Sequence, residues 1–181
     1  LYAARYPCLG MVMVDSGPEQ QPFAELAQRA APMLQGSGFD DAWAMIEASL
    51  GLHLIPQPTQ DAVRAAHHVD QDVVLGYWDQ LLTTPPADFQ AFIDTAIAGI
   101  TVPVLAVYGH RASEGDRQRF QAFSDVTVEE HPGDGHFVHL VDPARFTRSL
   151  RRFVAHCTAT HEPATLLDAH RAPADRSRSG P

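Results

Sequence analysis

The sequence predicts an α/β fold in which a parallel β-sheet is interrupted by an all-helical insertion. Three observations predict it. Two apolar runs, "GMVMVD" near the start and "ITVPVLAVYG" from Ile100, stop at turn residues as buried parallel strands do. The long stretch between them has helical periodicity and little strand character, and after Gly109 short helical and strand patterns alternate, which favours parallel pairing.

The bulk composition bounds the answer. With 181 residues, 45% of them hydrophobic, the chain is long enough for one core and too short for two ordinary domains. Its net charge is −9, and all thirteen basic residues are Arg, scattered rather than gathered into a stripe. That argues against nucleic acid or anionic membrane as the main partner. Cys8 and Cys157 lie in apolar surroundings without metal-ligand spacing, so they read as reduced core residues in a reducing, cytoplasmic setting. No apolar run is long enough to span a bilayer. The start "LYAARYPCLG" has neither a signal-peptide pattern nor an initiating Met, and the expectation is a chain that begins inside a larger fold.

In chain order, "LYAARYP" fits the last turn of a helix, closed near Pro7, and "GMVMVD" is a strand opening at Asp15-Ser16-Gly17-Pro18 into a loop. Phe23, Leu26, Ala27, Ala30 and Leu34 share one helix face, and Trp43, Ile46 and Leu50 share another. A third helix carries Val69, Val73, Val74, Tyr77, Trp78, Leu81 and Leu82. A fourth carries Phe89, Phe92, Ile93, Ala96 and Ile97, with Thr84 as N-cap and Pro85 at its first position. The breaks fall at Gly36–Gly38 and at "IPQPT", giving four or five helices without a repeat. After the strand at Ile100, "RQRFQAF" reads as a short helix, "VTVEEHP" as a strand and "DPARFTRSLRRFVAHC" as a closing helix. In that helix Asp142 caps, Pro143 enters the first turn, and Phe146, Leu150, Phe153, Val154 and Cys157 form the buried stripe. The organisation is therefore a core segment over 1–18, a helical insertion over 19–99, returning core over 100–157, and a disordered tail over 158–181.

Against this frame "PGDGHFVHLVDPARF" becomes specific. It resembles the C-terminal signature of the α/β-hydrolase fold, where a strand ends in a Gly-x-Gly-His turn and leads through Pro-x-x-Phe into the last helix. "VPVLAVYG" is similar to that family's penultimate strand, "YPCLGMVMVDSGP" to the strand after its nucleophile helix, and the helices between them to its inserted cap. The resemblance runs in order over about Leu1 to Cys157 and implies the C-terminal part of a hydrolase sheet with its cap.

The resemblance implies a triad base at His136, the motif position, which accepts the nucleophile's proton and returns it to the leaving group. For the acid, the family's usual position after the penultimate strand is Ala112 here, which has no carboxylate. Asp15 matches the position used by branches such as certain haloalkane dehalogenases, with Asp116 and Glu114 as alternates; an Asp before Ser-Gly-Pro is otherwise a turn carboxylate. No Gly-x-Ser-x-Gly elbow occurs, and neither Ser16 nor Ser37 stands at a strand-to-helix turn, so the nucleophile and oxyanion donors are expected ahead of Leu1. The partner implied is thus the missing N-terminal half of the same fold, and the edge strand "GMVMVD" would be exposed without it.

Trp43 and Trp78 are the candidate substrate-binding residues for a small hydrophobic ester-like substrate, set against the plainer reading that cap aromatics pack cap on core. No cofactor is implied. A metal site from His67, His68, His136 and His139 is the least favoured reading, because adjacent His67 and His68 project in different directions. The alternative function is a catalytically inactive remnant or binding module of the same fold.

Overall fold

The computed structural model describes residues 2–160. Its elements, after a 3-10 turn at Tyr2–Ala4, are β1 (Met11–Val14), α1 (Gln21–Leu34), α2 (Phe39–Ser49), a 3-10 turn at Leu52–Leu54, α3 (Gln57–Ala66), α4 (Gln71–Tyr77), α5 (Asp79–Thr83), α6 (Pro86–Ala98), β2 (Val104–Tyr108), α7 (Glu114–Phe120), β3 (Val126–Glu130), α8 (Val138–Val141) and α9 (Pro143–Thr160).

The three strands form one parallel sheet in the order β1-β2-β3. β2 is central and every residue in it is buried, which is why its sequence is continuously apolar rather than alternating. Alternate side chains serve opposite faces. Val104, Ala106 and Tyr108 pack with Ile97, Phe120 and Phe123 from the α6 and α7 side, whereas Leu105 and Val107 pack with Val138, Phe153 and Cys157 from α8 and α9. The core is therefore a three-layer α/β/α stack, and β1 and β3 are its edges. On the α9 side, Ser149 donates to Glu129 Oε2 at 2.6 Å and Arg152 to Oε1 at 3.0 Å, tying the helix to β3.

The insertion builds two small cores around α1. Ala24 and Ala27 meet Leu81, Trp78 and Phe89, and Leu34 meets Phe39, Ala42, Trp43 and Ile46. Glutamines staple it. Gln90, buried in α6, accepts the amides of Gln20 and Gln21 at 2.6 and 2.9 Å and donates to Pro18 O at 3.0 Å, capping a helix whose own N-cap residue supplies no side-chain bond. Gln71 does the reverse duty at the other end of α1, donating to Leu34 O at 2.8 Å.

Several local expectations are corrected. The buried face of α1 is rotated toward Ala24, Ala27 and Leu34, leaving Phe23 and Leu26 largely exposed. The expected third helix is split at Trp78 into α4 and α5, so Val73 and Tyr77 point to solvent, and α3 lies where only the "IPQPT" break was anticipated. Pro85 is the N-cap of α6 and Pro86 its first residue, one position beyond the expected cap at Thr84. α7 begins earlier, at Glu114, because Ser113 caps it by accepting the Asp116 amide at 2.9 Å. In α9 the Asp142 cap is formed, its Oδ1 accepting Arg145 N–H at 2.9 Å, but Val154 is exposed and Ser149 takes a buried place. That helix also continues to Thr160, past the expected end at Cys157; the rest of the expected tail lies outside the described residues. Cys157 is buried, whereas Cys8 is only half-buried in the extended lead into β1. No helix among the described residues is long and apolar enough to cross a membrane.

Candidate active site

The site forms where β1 and β2 deliver their carboxyl ends beside the loop that follows β3, the edge at which open parallel sheets carry their functional loops. Asp15 directly follows β1. Its backbone adopts φ +47°, a left-handed conformation that costs energy in any residue but Gly and is best tolerated by Asn and Asp. Two hydrogen bonds hold it there: its amide donates to Val107 O at 2.7 Å, and its Oδ1 accepts Gly109 N–H at 2.9 Å. The carboxylate is thereby swung over the end of β2, and its side chain is only 7% exposed.

The loop after β3 brings His136 to the other carboxylate oxygen. Gly109 O accepts the amides of Gly133, Asp134 and Gly135 at 3.1, 3.2 and 3.3 Å, so the end of β2 acts as a hub around which the loop folds. Gly133 and Gly135 take positive φ values of 105° and 65° to wrap it. Gly109 itself has no room for a side chain: a Cβ would run into the Gly135 carbonyl and approach its amide N to 2.9 Å. Arg145 pairs with Asp134, anchoring the loop to α9. From above, the insertion presses down, with His136 N–H donating to Leu50 O at 3.2 Å and Leu54 packed against Gly135.

The result is a contact across 121 residues of sequence: His136 Nδ1 lies 3.0 Å from Asp15 Oδ2. Because the carboxylate can only accept, Nδ1 carries the proton of a neutral ring. Nε2, which makes no hydrogen bond to a described residue, is then the basic nitrogen, on a side chain 43% exposed. Burial pushes the Asp15 carboxyl upward, but the His136 hydrogen bond, the Gly109 amide and the nearby imidazoles of His110 and His136 outweigh it and hold the group below its ordinary value. Asp15 is thus an anion under neutral conditions. The arrangement can orient an imidazole in one tautomer and stabilise its cation after proton uptake.

The other sequence candidates land elsewhere. Asp116 is buried, but its Oδ1 accepts Glu19 N–H at 2.8 Å, so it anchors the loop after β1 rather than meeting His136. Glu114 is exposed in the first turn of α7. Ala112 is buried, its amide donating to Glu130 Oε1 at 3.0 Å. His139 packs between Phe137 and Phe146; burial first, and the charge of His136 second, lower its pKa. His67 pairs with Glu47 at 2.8 Å, and no three His, Cys, Asp or Glu side chains among the described residues gather as metal ligands.

An apolar groove of about 630 Å³ runs along the edge of β1 that pairs with no described strand, between Met11–Val14 and the aromatic residues Phe23, Trp78, Phe89 and Phe92 of the insertion. Trp78 lines it. Trp43 does not; it stacks on Phe39 and meets Trp78 from behind at a centroid distance of 6.1 Å, so its ring belongs to the insertion's interior. Asp15 and His136 are not among the groove's lining residues, although Ser16, the next residue after Asp15, is.

Sequence reasoning passed over four residues that shape the site: Gly109, Leu50, Leu54 and His110. Only the strand-ending Gly109 had a local signal. His110 has its Nε2 3.3 Å from Asp15 Oδ1, a contact that no spacing rule announces because the two residues lie 95 positions apart.

No protein-family model matches the chain, and no curated protein matches its sequence. Among solved structures, MenH from S. aureus aligns with 87% of this chain at 16% sequence identity and a TM-score of 0.40. The alignment covers 63% of the MenH chain, so the present chain spans less than two thirds of that protein's length.

Proposed function

We propose that this chain carries the acid and base of an α/β-hydrolase-type active site, acting without a cofactor on an ester or similar bond of a small hydrophobic substrate. The observation that carries the reading is the Asp15–His136 contact of 3.0 Å at the carboxyl ends of parallel strands. The Gly-x-Gly-His turn and the Pro-x-x-Phe entry into α9, which resemble the hydrolase signature, support it.

In this reading Nε2 of His136 takes the proton of a nucleophile as it attacks the substrate carbonyl and returns it to the leaving group. Asp15 keeps the ring in the Nδ1–H tautomer and stabilises the imidazolium between those events. The nucleophile and the oxyanion-hole amides come from a polypeptide segment outside this chain, paired to the open edge of β1. The groove beside that edge is the place this reading gives to the rest of the sheet, with Trp78 on its insertion side facing the substrate.

The test uses the full polypeptide carrying this chain together with that segment, assayed on short-chain p-nitrophenyl esters. His136→Ala and Asp15→Asn each lower kcat/KM by about 10³–10⁴ with KM little changed. The 181-residue chain alone turns over no faster than free imidazole. Full activity in His136→Ala would sink the proposal, and a wild-type polypeptide without turnover would favour the non-catalytic binding module instead.

A further inference from the structure

Cys8 and Cys157 stand near opposite ends of the sequence, and the fold carries both to the α9 side of β1. The lead into β1 alternates: Pro7 and Leu9 are exposed, whereas Cys8 and Gly10 are half-buried. Inward here means toward α9. A Cβ on Gly10 would stand 2.5 Å from Cys157 Sγ and 2.9 Å from Phe153 Cζ, and Val12 and Val14 continue the same row against the α9 core. Same-side positions of an extended chain are about 6.6 Å apart, so Cys8 is the inward side chain next to Gly10 and faces the last turns of α9, where Cys157 lies. Electrostatics agree with that placement: burial first, then the Asp125 carboxylate and Cys8, push the Cys157 thiol up.

We propose that Cys8 and Cys157 form a reversible modification site, a thiol pair that a low-molecular-weight disulfide converts into an intramolecular disulfide stapling the lead of β1 to α9. The exchange balances in two steps. The Cys8 thiol, the more exposed of the two, loses its proton and attacks one sulfur of glutathione disulfide; the glutathione S–S bond breaks, and one glutathione leaves as a thiolate that takes up a proton. The Cys157 thiol, only 3% exposed, then loses its proton and attacks the Cys8 sulfur, and the second glutathione leaves in the same way. The protein is oxidised by two electrons, and one glutathione disulfide is reduced to two thiols. Excess thiol reverses both steps.

The position gives the bond a mechanical consequence. Among the described strands β1 pairs with β2 alone, and its lead is fastened there by Met11 N–H donating to Pro103 O at 2.9 Å. A bond from Cys8 to α9 holds this edge from a second direction. It also closes a loop that contains Asp15, the insertion and His136, and so restricts the unfolded chain.

The test holds the full polypeptide carrying this chain, folded, in excess glutathione disulfide, then alkylates it and maps its tryptic peptides without reductant. Residues 6–29 and 153–171, the tryptic peptides that hold the two cysteines, are expected as one cross-linked species that reductant separates. Cys157→Ser should stop at a mixed disulfide of Cys8 with glutathione. Cys8→Ser, which leaves the α9 core untouched, should keep Cys157 as an unmodified thiol. Oxidised wild type is expected to melt roughly 5 °C or more above the reduced protein, a shift that Cys8→Ser does not show.

The proposal is overturned if the cross-linked peptide is absent from the folded protein or arises only after unfolding in urea. A cross-link that lowers Tm would overturn it as well, because the pair would then meet only in a distorted chain. None of these readouts needs turnover, so the result stands apart from the hydrolase reading.

Discussion

Gly109→Ala is the substitution that most sharply probes how the site is held. The added Cβ would collide with the Gly135 carbonyl, leaving its carbon 2.7 Å and its amide nitrogen 2.9 Å away. All of these are backbone atoms, so no side-chain rotation relieves the overlap and the loop itself must lift. Overpacking of this kind costs about 1–3 kcal/mol. The same movement weakens the three amide bonds to Gly109 O, each already between 3.1 and 3.3 Å, for about another 1 kcal/mol in total. The expected loss is therefore about 3 kcal/mol, or roughly 6–12 °C in Tm for a domain of this size. Because the lifted residues carry His136, the Nδ1–H tautomer is lost with the stability.

Two other glycines calibrate the measurement. Gly76→Ala meets nothing within 4 Å in α4 and should stabilise by about 0.5 kcal/mol. Gly133→Ala also meets nothing within 4 Å, but its φ of +105° should cost about 1–3 kcal/mol through backbone strain alone. Urea unfolding at constant m-value supplies the energies, and the His136 tautomer supplies the local readout. A Gly109→Ala chain within about 0.5 kcal/mol of wild type and with His136 still Nδ1-protonated would refute the hub geometry, since surface changes away from critical features stay within that range.

Further outcomes follow from the two depressed carboxylates. Asp15 is lowered from its ordinary 3.8, so its contribution to stability is present above that pH and is lost as pH falls through the lower folded value. The urea midpoints of wild type and Asp15→Asn should therefore converge as pH drops below about 4, and a pH-independent difference between them would contradict the pairing. For Glu129, burial raises the carboxyl, but Ser149, Arg152 and His131 together hold it below its ordinary value. Ser149→Ala should cost about 1.5 kcal/mol and raise the Glu129 pKa as followed by carboxyl ¹³C shifts; an unmoved titration would mean the hydroxyl does not carry that contact.

Much of the fold was legible because burial on both faces of β2 leaves a continuous apolar run, and because the periodicities of α6 and α9 are long enough to read. The misreadings share a physical origin. Phe23 and Tyr77 satisfy a helical apolar stripe, yet Phe23 lines the groove beside β1 and Tyr77 borders it while standing open to solvent, and nothing in a local pattern separates those fates from burial in a core. The split at Trp78 had only a weak local signal, Gly76 two residues ahead of it, with no Gly or Pro between α4 and α5. Glutamine staples such as Gln90 carry no sequence signal, because their partners are backbone groups about seventy residues away.

At the site, the residues of chemical interest could be nominated from sequence but not joined. His136 stood out through its glycines and Asp15 through its strand end, whereas Asp116 and Glu114 were equally acidic and closer in sequence to the expected position. The sequence by itself determined the order of strands and helices, the helical insertion and the turn that displays His136, because these depend on local periodicity and turn chemistry. Only the tertiary structure decided which carboxylate meets that histidine, that His110 faces the same carboxylate, and that Trp43 is interior while Trp78 lines the groove. Those outcomes depend on parallel strand register and on a few ångströms of approach between backbones, at Gly109 and Gly135 above all, which bring together residues separated by up to 121 positions.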